Sequence, residues 1–144
     1  MSGYIPIEDL DFFKDWEALA DEVYKEVSQW TTFAKNTVGA QWVESTDSVG
    51  ANLVEGDARY SDRESLHFFN IARGSARESR YWLTRAQKRE LVTEYRGAEL
   101  LGRLESARRR LNALITSRRE RQQSVREERA SYTILGGEDE SEGA

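Results

Sequence analysis

Apolar side chains recur at Phe13, Trp16, Ala20, Val23, Val27 and Trp30 in alternating steps of three and four, the spacing that lines one face of a helix. Leu19 and Tyr24 widen that stripe. A second series, Val38, Trp42, Ser45, Val49 and Leu53, keeps the same period through an interior rich in small residues, including Gly39, Ala40, Gly50 and Ala51. A third runs through Phe68, Ala72, Ser75, Ser79, Trp82 and Ala86, with Phe69, Ala76 and Leu83 beside it. A fourth runs through Leu100, Leu104, Ala107, Leu111 and Leu114, flanked by Leu101 and Ile115. The pattern predicts helices over about 11–32, 37–55, 62–88 and 94–129. Joined by short connections, they form an all-α, antiparallel up-and-down four-helix bundle spanning residues 1–130.

The stops and starts sharpen those boundaries. Gly56 suits the left-handed residue that closes a helix. Ser61 followed by Glu64 matches the reciprocal capping box, in which Ser receives the third amide and Glu reaches back. Thr93 is the predicted cap of the fourth helix. Gly74 sits inside the third helix at a cost of about 1 kcal/mol relative to Ala, which a close helix crossing over Gly74 and Ser75 would offset. Past Ile115 the apolar seam ends. The run RRERQQSVREERA has helical propensity but only Val125 to bury, so it projects as a polar helical extension or docks on another chain. The last segment, 131–144, carries the short apolar patch YTIL and then GGEDESEGA, a flexible, disordered acidic tail by composition.

Composition narrows the function classes. At 144 residues, with 38% hydrophobic and 33% charged side chains and one proline, the chain suits a single packed helical domain. It has no cysteine, which removes disulfides, thiolate metal sites and a cysteine nucleophile, and fits a cytoplasmic location. The start, MSGYIPIEDL, shows no secretory pattern, and no membrane span is expected. Charge is unevenly placed: residues 1–60 sum to −8, residues 61–130 to +7 and the tail to −4. Opposite halves suit helices that pair within one fold, or one subunit's acidic face meeting another's basic face.

Candidate chemistry is sparse. Glu64-Ser65-Leu66-His67 has the Glu-x-x-His spacing of di-metal four-helix proteins, but His67 is the single histidine and Glu64 already serves the capping box. No catalytic, cofactor-binding or metal residue is assigned, and no cofactor is expected. Glu17 and Asp21 lie at helix spacing on a solvated face. Gly136-Gly137 lacks the lysine and helix of a phosphate loop. Arginines are the stronger signal. Arg73, Arg77 and Arg80, spaced four and three, form one ridge suited to a phosphate backbone or a partner's carboxylates. Arg108, Arg109, Arg110, Arg118, Arg119 and Arg121 crowd the fourth helix, where pairs such as Glu105 with Arg109 are expected. The tryptophans are read as core rather than as base-stacking residues.

The block NLVEG, Arg59, Ser61, Glu64, Phe68, IARGS at 71–75, Glu78 and LNALI at 111–115 resembles the bacterial four-helix-bundle family encoded by intervening sequences in large-subunit ribosomal RNA genes. The likeness covers roughly residues 9–116. It implies a more distant kinship with the accessory variability proteins of diversity-generating retroelements. From it follow the expectations of an up-and-down bundle and a pentameric ring, and of a basic surface that in the retroelement relatives meets a reverse transcriptase and nucleic acid. The chain departs from the family in having no proline in WTTFAKNTV, and in carrying Trp42, Val43 and Glu44 where relatives tend to be basic. Asn52, Glu55, Gly56, Arg59, Ser61, Glu64 and Gly74 are then a structural corner, with Arg59 or Arg73 compensating Glu55 at a helix C-terminus. The sequence thus points to a non-enzymatic oligomeric scaffold or adaptor whose first partner is itself. The alternatives are a nucleic-acid- and reverse-transcriptase-binding accessory and, more remotely, a di-metal oxidoreductase.

Overall fold

A computed structural model describes the backbone of residues 3–142 and the side chains through Ile134. Four long helices carry the fold: α1 (Asp11–Ser28), α2 (Ala40–Asp57), α3 (Asp62–Lys88) and α4 (Glu94–Glu142). A 3-10 turn, Ile7–Asp9, precedes α1 and buries Ile7, its amide donating to the Asp57 carboxylate at 3.1 Å. Each helix touches its neighbours in sequence, and α4 closes back onto α1, with no diagonal pair. Cross-helix contacts fix the directions. Val27 lies against Gly39 and Phe13 against Gly50; Thr46 bonds Ser79 and Gly56 meets Phe69; Arg80 pairs with Glu105 and Asp62 with Arg121; Asp15 pairs with Arg110 and Glu22 with Arg96. In every pair the numbers rise on one helix as they fall on the other, so the bundle is antiparallel and up-and-down.

The connection between the first two helices differs from expectation. α1 stops at Ser28, and the chain resumes helically at Thr32 because Thr31 caps the turn, its hydroxyl accepting from the Ala34 amide at 3.3 Å. A π-helical turn, Lys35–Gly39, then leads into α2. Trp30 therefore lies outside α1, stacked on Trp42 with ring centroids 5.8 Å apart. Its indole N–H is buried with no hydrogen-bond partner among the described residues.

The core follows the seams with one rotation. Phe13, Trp16, Leu19, Ala20, Val23 and Val27 are buried from α1, and Trp42, Ser45, Val49 and Leu53 from α2. Tyr24 is exposed, so the α1 stripe is narrower than expected. On α3 the buried line is Ser65, Leu66, Phe69, Ala72, Ala76, Ser79, Leu83 and Ala86, while Phe68, Ser75 and Trp82 sit at its half-exposed margin. The inward face is thus turned by about one residue. Ser79 faces α2, where it meets Thr46, and the Phe68 and Trp82 rings move to the edge while Phe69 turns inward.

α2 and α3 share the most extensive interface in the bundle. Small residues let the backbones approach, and hydroxyls fill the seam with paired polar atoms. Thr46 and Ser79 share a 2.6 Å hydrogen bond, both nearly inaccessible, and Ser48 and Ser75 share one of 2.9 Å. Gly56 is where the approach is tightest: a Cβ there would lie 2.8 Å from the Phe69 ring and 3.0 Å from Phe68 Cβ. Its role is therefore steric. No glycine among the described residues has positive φ, and α2 runs past Gly56 to Asp57, which corrects the left-handed stop expected there. The crossing expected over Gly74 is also corrected. Gly74 is exposed, and a Cβ built on it meets nothing within 4 Å. The close crossing falls one end further along, at Gly56, because α3 presents Phe69 rather than Phe68 to its neighbour.

α3 ends in a Schellman turn, with Leu91 N–H donating to the Ala86 carbonyl at 2.9 Å and Glu90 N–H to Gln87 at 3.1 Å. Glu90 holds the left-handed position (φ 57°) usually taken by glycine. Thr93 caps α4, its hydroxyl accepting from the Arg96 amide at 3.1 Å. From there α4 buries Leu100, Leu104, Ala107, Leu111 and Ile115, and its backbone stays helical to Glu142. The break expected at 131 is absent from the backbone path; the side chains of the acidic segment from 135 onward lie outside the described residues.

Replacing Gly56 with Ala should lower the thermal midpoint by the equivalent of roughly 1–3 kcal/mol, because the Phe69 ring has to shift. Gly74→Ala, with open space and helical backbone, should raise stability by up to about 1 kcal/mol. Paired thermal melts decide it; equal midpoints for the two variants would show that the α2–α3 approach is not limited at Gly56.

Candidate functional site

The corner between α2 and α3 gathers five of the seven residues expected there, Glu55, Gly56, Arg59, Ser61 and Glu64. Near the C-terminal end of α2, where the helix dipole disfavours an anion, Glu55 is paired one turn on with Arg59. The Arg59 guanidinium also lies over the Phe68 ring, 4.7 Å from its centroid. Ser61 accepts from the Glu64 amide at 3.2 Å and so caps α3; among the described residues Glu64 makes no return bond to Ser61, so half of the expected box forms. Asn52 does not reach the corner. Its amide donates to Ser48 O at 2.8 Å and to Ser48 Oγ at 3.1 Å, one turn back along α2. The bond that closes the corner comes from Ser65, whose buried hydroxyl donates to the Gly56 carbonyl at 2.8 Å. Only Ser65's place in the first turn after a cap hinted at this.

Glu64 and His67 both face solvent at the start of α3, and His67 packs edge-on to Phe68 at 5.2 Å. Among the described residues no group of three or more His, Asp or Glu side chains is placed to hold a metal ion. The helix face that carries these two residues lines a shallow hollow with Arg59, Arg63 and Phe68.

The arginines divide into two sets. Arg80 bonds Glu105 at 2.8 Å, and Arg108 meets the same carboxylate at 2.9 Å, so Glu105 is shared by these two rather than by Arg109. Arg110 pairs with Asp15 at 2.5 Å and lies over the Phe12 ring. Arg121 grips Asp62 with two nitrogens, Arg118 stands 4.0 Å from the same carboxylate and over Phe69, and Arg119 reaches Asn70 at 3.5 Å. These contacts tie α4 to α1 and α3. The second set, Arg73, Arg77 and Arg109, makes no ion pair among the described residues. The ridge on α3 is therefore two unpaired arginines with a third already engaged.

A cluster that the sequence reading missed sits at the opposite end. Arg96 binds Glu22, Glu26 at 3.4 Å and Glu99 at 3.1 Å, joining α1 to the start of α4. The hydrogen bond from Arg96 holds the Glu22 carboxyl below its ordinary range. Arg96 lies four residues before Leu100, on the core ridge of α4, and Glu22 and Glu26 are four apart beside Val23 and Val27; each spacing can be read alone, but the register that brings the two segments together cannot. On the outer face of α1 and α2, Glu17, Asp21 and Asp47 make no ion pair among the described residues. Burial, and then the charge of Asp21, pushes the Asp47 carboxyl up.

Residues 8–113 match the family model described as 23S rRNA-intervening sequence protein. Among solved structures, a protein of unknown function from the S23 ribosomal protein family of Bacteroides thetaiotaomicron VPI-5482 is similar in fold, with TM-score 0.65 at 21% identity over 72% of this chain and 97% of that one. No curated protein matches. No helix among the described residues is long and apolar enough to cross a membrane.

Two expected outcomes test this geometry. Hydrogen bonds from Arg121 hold the Asp62 carboxyl below its ordinary range, with the charges of Arg121 and Arg118 adding to them. A depressed carboxyl stabilises the fold above its unfolded value, about 3.9, and that contribution is lost as pH falls through the folded value. Asp62→Asn should therefore cost roughly 0.5–1 kcal/mol in urea melts at pH 7, with the gap closing below about pH 4. A gap that does not narrow as pH falls below about 4 would locate its cause outside the ion pair. His67→Ala should leave melting temperature and bound iron, manganese and zinc unchanged by elemental analysis. Stoichiometric metal lost in the variant would reopen the Glu-x-x-His reading.

Proposed function

This chain belongs to the 23S rRNA-intervening sequence protein family, and we propose that within it the protein acts as a non-enzymatic, cytoplasmic scaffold or adaptor built as a homo-oligomeric ring. The observation that carries this reading is the length of α4. Beyond Arg121, its last tie to α3, the helix continues for about 30 Å at 1.5 Å per residue. That stretch exposes Val125, Tyr132 and Ile134. An unsupported polar helix of this kind is marginal in water, and gains stability by docking on another chain. A protein whose longest element projects past its own core is suited to holding copies or partners together. Five subunits are the expectation drawn from the family resemblance.

A second reading, an accessory that binds nucleic acid and a reverse transcriptase, has Arg73 and Arg77 in its favour. Both stand on the outer face of α3 without an intrachain carboxylate among the described residues. Against it weigh Arg80, committed to Glu105, and the exposed Glu44 on α2.

Light scattering at micromolar concentration should give a mass several times 16.6 kDa; the monomer mass alone would remove the ring. RNA titrations across salt separate the two readings. The scaffold reading expects no tight binding at physiological salt, with or without Arg73, Arg77 and Arg80 replaced by Gln. Micromolar binding whose salt slope falls by up to about 3 units in the triple variant would establish the accessory instead.

A further inference from the structure

Where α4 leaves the bundle it forms one wall of an open cleft of about 390 Å³. The opposite wall is the α2–α3 connection and the first turn of α3, with Tyr60 fully exposed. Its unpaired charges are basic: Arg63 from α3, and Arg126 and Arg129 from α4, none in an ion pair among the described residues. Asp62, the acid at its base, is already held by Arg121. Val125, Arg129 and Tyr132, spaced four and three, share one face of the extension, with Arg126 and Glu128 at its edges. That face is an apolar strip bearing cations and nothing of its own core to cover it.

The complementary surface lies on α1 and α2. A groove of about 300 Å³ between them is floored by Phe13, Trp16, Ala20 and Gly50, and rimmed by Glu17, Asp21 and Asp47. The other acids of the bundle that face a neighbouring helix, Asp15, Glu22, Glu26, Asp62 and Glu105, are matched by arginines of the same chain. The three on this rim are not, and burial together with the nearby charge of Asp21 disfavours the ionised Asp47 carboxylate.

We infer that the basic cleft of one copy receives the acidic α1–α2 face of a second copy, Arg126 and Arg129 meeting Asp21 and Asp47. The inference rests on the oligomeric reading above and names its contact. The extension cannot fill its own groove: as the unbroken continuation of α4 it runs away from the bundle, past the end at which α1 begins. The contact is therefore between chains and heterologous, each copy offering its cleft to one neighbour and its acidic face to another, and such contacts form a ring when the rotation between copies closes. Mutual neutralisation also fits the opposite charges of residues 1–60 and 61–130.

Charge reversal tests it by native mass and sedimentation. Arg126→Glu with Arg129→Glu, or Asp21→Arg with Asp47→Arg, should each weaken assembly at least tenfold, and all four changes in one chain should restore it. Helicity by circular dichroism confirms that each variant is folded. Should a reversal impair folding, Asp47→Asn, which relieves its repulsion by Asp21, should still weaken assembly without lowering the melting temperature. Wild-type assembly that none of these changes affects would overturn this contact while leaving the oligomer standing. A wild-type protein that is monomeric throughout would overturn both.

Discussion

The bundle depends on how near α2 can come to α3. Where Gly56 passes beneath the Phe69 ring, α2 puts no side chain of its own into the gap, and further along Thr46, Ser79, Ser48 and Ser75 bridge it with hydroxyls in place of bulk. A narrow seam has two effects. It turns α3 so that Phe69, Ala76 and Leu83 point inward, and it satisfies every buried hydroxyl locally, since an unpaired one would cost about 1–3 kcal/mol. With α3 fixed in rotation, Asp62 and Asn70 fall on the side where α4 arrives. The ion pairs to Arg121 and the bond from Arg119 then set the register of the fourth helix. The corner residues act through this geometry: Ser65 ties α3 to the last turn of α2, and the Arg59–Glu55 pair neutralises a carboxylate at an unfavourable helix end.

Electrostatics sorts the surface into satisfied and unsatisfied parts. Arginines of α4 that look inward along the bundle meet acids of α1 and α3, and the Arg96 cluster fastens the far end in the same manner. Pairs this exposed contribute little individually. They matter more for specificity, because a helix slipped by one turn would bring like charges together. What is left unmatched lies in two places, acidic on α1 and α2 and basic where α4 departs. The chain's uneven charge distribution is thus only partly consumed by its own folding.

Legibility followed periodicity. Helix number, order and antiparallel arrangement could be read because each seam repeats over several turns, and Thr93 and Ser61 marked the starts of α4 and α3 correctly. The failures came where small residues decide. Phe68 and Phe69 are equivalent to a periodicity argument, and only the presence of Gly56 across the interface selects Phe69. Gly74 looked like a crossing point because glycine in a helix has a cost, yet no neighbour approaches it. Ion pairs between distant helices, such as Arg96 with Glu22, need the register of both partners, which no single segment contains. The Schellman turn at Glu90 went unseen because the residue in the left-handed position is not glycine.

The π turn at Lys35–Gly39 bears on how the chain tolerates changes of length. Such a turn houses one residue more than the α turn it replaces; here the Ala40 amide reaches back to the Lys35 carbonyl. Ala34 before it, Val38 within it, and Trp42 and Val49 after it are all buried. Loss of one codon in this stretch would return the backbone to a regular helix with both faces still inward. The same deletion in the middle of α3 would swing every later side chain by about 100° and carry Ala76 or Leu83 out to water. The entrance to α2 is therefore a helical stretch inside the packed bundle where a gene can shorten by three nucleotides without turning a core face outward.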